Sequence, residues 1–180
     1  RLVQNDSKPF LVEKMNNYQR QLIHMTGLRI YEIQQIIFDL YRAAPRKDYS
    51  NLGTRKIDGL TELVYVSYPD RPVTAKKVEV LESLAEKLDG KGYEQLVILG
   101  WDYEYNYDQI LQERERKSKR AWCTKIVSKV IPCEIYEFLK EAENNDHVNC
   151  LDGKIQFYNK PYLKLLKPEI QYAVERYHVT

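Results

Sequence analysis

The sequence is poor in the residues from which the commonest catalytic motifs are built. Its 180 residues include 3 cysteines and 3 histidines. Cys123, Cys133 and Cys150 are odd in number and fall in no CxxC or His-flanked spacing. That argues against a zinc site or a disulfide framework and makes a reducing cytoplasm the expected compartment. His24, His147 and His178 are scattered, and no serine or cysteine stands in a nucleophile motif such as GxSxG. Gly53, Gly59, Gly90, Gly92, Gly100 and Gly153 compose neither GxGxxG nor a phosphate loop. No apolar run approaches the roughly 18–20 residues that span a bilayer, and no signal peptide is visible, so no membrane partner is expected. Charge of one sign is not in excess either. The net charge of +2 demands no nucleic-acid partner and leaves the question to local patches. The chain begins at Arg1 rather than methionine, as expected of a piece of a longer protein.

What is present is an ordinary globular composition, 43% hydrophobic and 30% charged, with 15 tyrosines, a residue suited to wet interfaces, base stacking and cores alike. Residues 10–24 and 28–43 have helical spacing of apolar groups. The second is clearer, with Ile30, Ile33, Ile36, Ile37, Leu40 and Tyr41 on one stripe. Pro45 ends it. Residues 45–59 read as a basic loop carrying Arg46, Lys47, Arg55 and Lys56. Leu60–Tyr68 reads as a strand that turns at Pro69–Pro72. Thr74 is the expected N-cap of a helix, with Val73 and Val78 as its hydrophobic staple, Val78, Leu81, Leu84, Ala85 and Leu88 as its buried stripe, and Gly90 as its stop. Leu96–Leu99 is a strand apolar on both faces, the mark of a covered parallel sheet.

A polar helix over 107–119, a strand over Trp122–Val130 and a short helix over Glu134–Glu143 after Pro132 follow. A polar turn region over Asn144–Gly153 and strands over 154–158 and Tyr162–Leu166 complete the series. This order predicts an α/β fold: a three-layer, mostly parallel sheet with flanking helices and a hairpin at its end. The expected organisation is a helical N-terminal segment over 1–44, a basic linker loop over 45–59 and a Rossmann-like α/β domain over 60–180.

Two constellations carry possible chemistry. The strand ending at Gly100 opens into Trp101-Asp102-Tyr103-Glu104-Tyr105-Asn106-Tyr107-Asp108. Ligands of open parallel sheets bind outside the carboxyl ends of the strands, where Asp70 and Asp102 would sit if their strands are neighbours. With Glu104, these acids would hold magnesium in a metal-dependent nuclease, but the acid-x-lysine pattern of such enzymes is missing. Capping loops, or pairing with Arg71 or Lys76, is the plainer role. Trp101, Tyr103, Tyr105 and Tyr107 fit an interface, because aromatics supply contact area, and they fit a core cover as well. The second constellation is basic. Arg114, Arg116, Lys117, Lys119 and Arg120, with Arg46, Lys47, Arg55 and Lys56, would contact phosphates if they share a face, and otherwise form solvated surfaces.

The succession "DGLTELVYVSYPDRPVTAKKVEVLESLAEKL", "GYEQLVILGWDYEYN", "SKVIPCEIYEFL" and "GKIQFYNKPYLKLLKPEI" resembles the C-terminal region of bacterial Mod-like DNA methyltransferases, those related to type III restriction–modification systems. The resemblance covers about residues 58–170 and rests on structural motifs. The DPPY-type tetrad and the FxGxG loop of these enzymes are missing, and "YPDRP" at Tyr68–Pro72 does not replace the first. The resemblance implies a non-catalytic domain of a site-specific DNA (adenine) methyltransferase. S-adenosylmethionine would be bound by the parent enzyme and no cofactor by this chain. Its partners would be double-stranded DNA, the methyltransferase core or a restriction subunit.

Overall fold

A computed structural model describes residues 29–117, 124–132, 134–136, 139 and 155–162. They form an α/β protein built on a six-stranded mixed sheet. In chain order the elements are α1 (Ile30–Tyr41), β1 (Ala44–Pro45), β2 (Leu52–Ile57), β3 (Leu60–Val66), α2 (Ala75–Lys87), β4 (Gln95–Gly100), α3 (Tyr107–Lys117), β5 (Lys125–Val130) and β6 (Tyr158–Asn159), and a 3-10 turn over Leu88–Gly90 follows α2. The strands lie side by side in sequence order.

The central strands β3, β4 and β5 run parallel, linked by α2 and α3. The pairings β1–β2, β2–β3 and β5–β6 are antiparallel. The expectation of a mostly parallel sheet is therefore corrected: antiparallel strands flank the parallel trio on both sides. The basic linker over 45–59 is corrected with it. Residues 52–57 are a strand paired along their whole length with β3, and the turn between them is Asp58-Gly59. Both turn residues have positive φ, 49° and 83°, as the favoured two-residue hairpin requires, and glycine takes the second without a Cβ penalty. Helix α1 packs on one face of the same sheet.

The helices form where local chemistry directs. In α1, Ile33, Ile37, Phe38 and Tyr41 recur at helical spacing and are buried. Glu32 Oε2 accepts the Arg29 N–H at 2.7 Å, and Arg42 closes the helix in the left-handed region. In α2, Thr74 Oγ1 accepts the Lys77 N–H at 3.1 Å, and Val73 and Val78 are buried as the staple predicts. Two cores result. On one face, Ile33, Ile37 and Phe38 of α1 pack with Val64, Val66, Val97 and Leu99, joined by Ile135, Tyr136 and Leu139. On the other, Val78, Leu81 and Ala85 of α2 pack with Leu63, Tyr65, Leu96 and Ile98, joined by Tyr107 of α3. The alternation along β3 and β4 sends successive side chains to opposite cores, which is why both strands read as unbroken apolar runs.

The polar helix is observed over Tyr107–Lys117 and the following strand over Lys125–Val130. The strand expected over 154–158 is reduced to Tyr158–Asn159. The helix expected over 10–24, the polar turn region over Asn144–Gly153, all three cysteines and all three histidines lie outside the described residues, as does the strand over Tyr162–Leu166 beyond its first residue. Among the described residues, no helix is long and apolar enough to cross a membrane.

Candidate functional site

The carboxyl edge of the parallel strands is laced together by backbone. The Val73 N–H donates to Asp102 O at 2.8 Å and the Glu104 N–H to Val73 O at 2.9 Å, which joins the β3–α2 and β4–α3 loops. The three acids of this edge are separately engaged. Asp70 pairs with Arg71 at 3.3 Å on the surface. Asp102 Oδ1 accepts the Tyr103 N–H at 2.8 Å. Glu104 Oε2 accepts the Ala75 N–H at 3.3 Å, which satisfies a first-turn donor of α2. Among the described residues no group of three or more acids, histidines or cysteines is placed to hold a metal ion.

The aromatic residues divide sharply. Trp101 is 4% exposed and Tyr107 1%, and both belong to the cores. Trp101 sits against Tyr136 with ring centroids 5.3 Å apart. Tyr103 turns back under the sheet edge, and its hydroxyl reaches Ile98 O at 3.0 Å and Lys129 O at 2.6 Å, bridging β4 and β5. The Tyr107 hydroxyl meets Ser128 Oγ at 2.7 Å. Burial pushes the Tyr103 phenol well above its usual range and the Tyr107 phenol up to about 12. Strand β4 stops at Gly100, so alternation does not carry Tyr103, Tyr105 and Tyr107 to one surface. Of the two roles these aromatics fit, interface and core cover, Trp101, Tyr103 and Tyr107 take the second within this chain. Tyr105 alone of the four is open to solvent, at 77%.

Gly100 makes that packing possible. A Cβ at this position would lie 2.5 Å from the Tyr103 ring. Because the ring is tethered to two strands, it has little room to yield. Gly100→Ala is expected to cost about 1–3 kcal/mol by overpacking, with part recovered by a second change, Tyr103→Leu. Urea denaturation checks this; an unchanged midpoint in the single variant refutes it.

The basic residues divide as well. Arg46 spends all of its N–H donors internally: on both oxygens of Asp48, on both oxygens of Asp89 and on the Tyr93 hydroxyl. It clamps the start of the hairpin to the turn after α2 and holds the Asp48 and Asp89 carboxyls below their usual range. Arg55 lies 4.5 Å over the Tyr41 ring and 3.7 Å from buried Glu62. Arg114 ties α3 to α2 through Glu79 at 3.2 Å and Glu82 at 3.3 Å. These three arginines brace the fold: Arg46 has every donor spent, and Arg55 and Arg114 keep part of their side chains exposed. Lys47, Lys56 and Arg116 are exposed and have no ion pair among the described residues. The Lys117 side chain, Lys119 and Arg120 lie outside them.

Sequence reasoning missed three exposed cations, Lys87, Lys91 and Lys125. Lys87 ends α2, Lys91 follows its closing turn and Lys125 opens β5. With Lys56 and Arg116 they occupy the amino edge of the parallel trio. Their signal is position at element ends, which becomes visible only once the strands are ordered. A groove of about 460 Å³ opens beside this edge, lined by Ala44, Thr54, Lys56, Thr61 and Tyr93 together with the Arg46–Asp89 clamp. No protein-family model, curated protein or solved structure matches this chain.

Proposed function

We propose that this chain is a non-catalytic, three-layer α/β module of a site-specific DNA (adenine) methyltransferase, and that it contributes DNA contact or assembly with the methylase core. The resemblance of residues 58–170 supplies the enzyme class. The observation that carries DNA contact is the set of exposed cations Lys56, Lys87, Lys91, Arg116 and Lys125 at one edge of the sheet, which have no ion pair among the described residues, while three acids near them, Asp48, Asp89 and Glu62, are held by arginines. Such cations suit the phosphate backbone of a duplex and supply affinity without reading sequence. The assembly role is favoured by the opposite edge, where Tyr105 at 77%, Tyr158 at 64% and Tyr162 at 53% exposure offer aromatic contact area to a methylase core or restriction subunit. The methyl donor would belong to the parent enzyme.

Fluorescence anisotropy with duplex DNA at about 50 and 200 mM salt tests the reading. Binding is expected at the lower salt and to weaken steeply at the higher. Replacing Lys56, Lys91 or Lys125 by Gln is expected to lower the slope of log K against log salt by about 1 each. Arg46→Gln is expected to lower the melting temperature and leave that slope unchanged, because its donors are occupied. No binding by the parent chain at the lower salt removes DNA contact and leaves assembly.

A further inference from the structure

The groove of about 460 Å³ beside the amino edge lies in the size range of small-ligand sites. Its floor is one face of the hairpin, where Thr54, Lys56 and Thr61 stand together because Lys56 and Thr61 are opposite one another and Thr54 is two residues along β2. Its wall is Arg46. All five N–H donors of that guanidinium are spent in its own plane, on Asp48, Asp89 and the Tyr93 hydroxyl. What Arg46 still offers the groove is its stem and a flat guanidinium face, held rigid by two carboxylates. Such faces stack planar rings.

We propose that this groove binds one nucleotide, its base flat against Arg46 with an exocyclic amine on Asp89 Oδ1, and its phosphate on Lys56. The polarity of the lining sets that orientation. Asp89 Oδ2 accepts from Arg46 and Tyr93, but Oδ1 accepts from Arg46 alone, which leaves it a lone pair for one more donor. The clamp holds one cation against two carboxylates, so its side of the groove suits an amine and not a phosphate. Lys56 is exposed and has no ion pair among the described residues. Arg55, the other cation of the lining, is engaged with Tyr41 and Glu62. Entry displaces no element, because β1 pairs with β2 only at Gly53 and Thr54 and the sheet edge is open beyond them. The proposal does not rest on DNA contact. Bases of a duplex are already stacked and paired, so duplex affinity reports the exposed cations and nucleotide affinity reports the groove.

Calorimetric titration tests it, with AMP as the probe. The parent chain is expected to bind AMP, with hypochromism of the adenine as the mark of stacking. Ribose phosphate, which lacks the base, is expected to bind at least about fivefold more weakly. Inosine monophosphate, which has a carbonyl where AMP has its amine, is expected to lose about tenfold, as for one hydrogen bond to a charged acceptor. Lys56→Gln should weaken AMP about two- to fivefold and leave the melting temperature unchanged. Ala44, opposite Thr54 and on the same face, is exposed, so Ala44→Trp fills the groove and should abolish AMP binding. If that variant does not fold, the ligand series and Lys56→Gln decide. A short single-stranded oligoadenylate that binds more tightly than AMP assigns the groove to an unpaired nucleotide of a strand. AMP binding at least as tightly assigns it to a free nucleotide. No binding of AMP, or equal binding of AMP and ribose phosphate, overturns the proposal.

Discussion

Trp101→Ala is expected to cost about 3–5 kcal/mol of folding stability, the range for emptying a large aromatic site in a core. Trp101 is 4% exposed and packs within the cluster of Val97, Leu99, Ile135 and Tyr136. Its backbone N–H is also held by Ser67 Oγ at 3.0 Å, which fixes the chain as it leaves β4. The truncation therefore leaves a cavity whose walls are two strands and the segment after Pro132, none of which collapses easily. Tyr105→Ala, four residues on, is expected to stay within about 0.5 kcal/mol, as surface changes do. Urea denaturation of the two variants separates a core role from an interface role for the aromatic cluster. A loss below about 1 kcal/mol for Trp101→Ala would return that residue to the surface and undo the assignment.

That contrast also marks where the sequence stops being readable. Helix α2 was legible to within a residue, because its signals are local: a Thr74 cap, a staple from one residue before the cap and four after it, and a stripe at helical spacing. Strand β4 was legible because a run of four apolar residues bounded by Gly100 has few other uses. The hairpin of β2 and β3 was written in the sequence as Asp58-Gly59 between paired strands, yet Thr54-Arg55-Lys56 hid it. β1 covers β2 only opposite Gly53 and Thr54, so Arg55 and Lys56 lie on an open stretch of the sheet that tolerates charges a central strand would not, and charge here signalled position in the sheet and not a loop. The fates of Tyr103 and Arg46 are of another kind. The Tyr103 hydroxyl lands on Lys129 O and the Arg46 guanidinium on Asp89, and no window of local sequence holds both partners. An aromatic or basic residue states what it can bind; only the ordering of strands states whether that partner is internal. The acids of the carboxyl edge follow the same logic, since Glu104 serves the first turn of a helix that begins far upstream of it.

The buried phenols that this edge absorbed make stability fall at alkaline pH. Burial raises the Tyr107 pKa from an ordinary value of about 10 to about 12 in the folded chain. The folded state thus holds the phenol proton more tightly than the unfolded state does. The stability this represents is present in full below pH 10 and is lost as pH rises from the unfolded value towards the folded one, for a total of about 2–3 kcal/mol. Tyr103, raised well above its ordinary value by burial, adds to the loss in the same direction. Urea midpoints at pH 8, 9, 10 and 11 are expected to hold and then drop, and phenolate absorbance in the folded protein should show these groups ionising late. Tyr107→Phe supplies the control. It gives up the hydroxyl contact with Ser128, at about 1 kcal/mol at every pH, but removes one ionisation and so flattens the alkaline limb. Equal midpoints at pH 9 and 11 in the parent chain would mean that these hydroxyls reach water, and with them the edge that the tyrosines close.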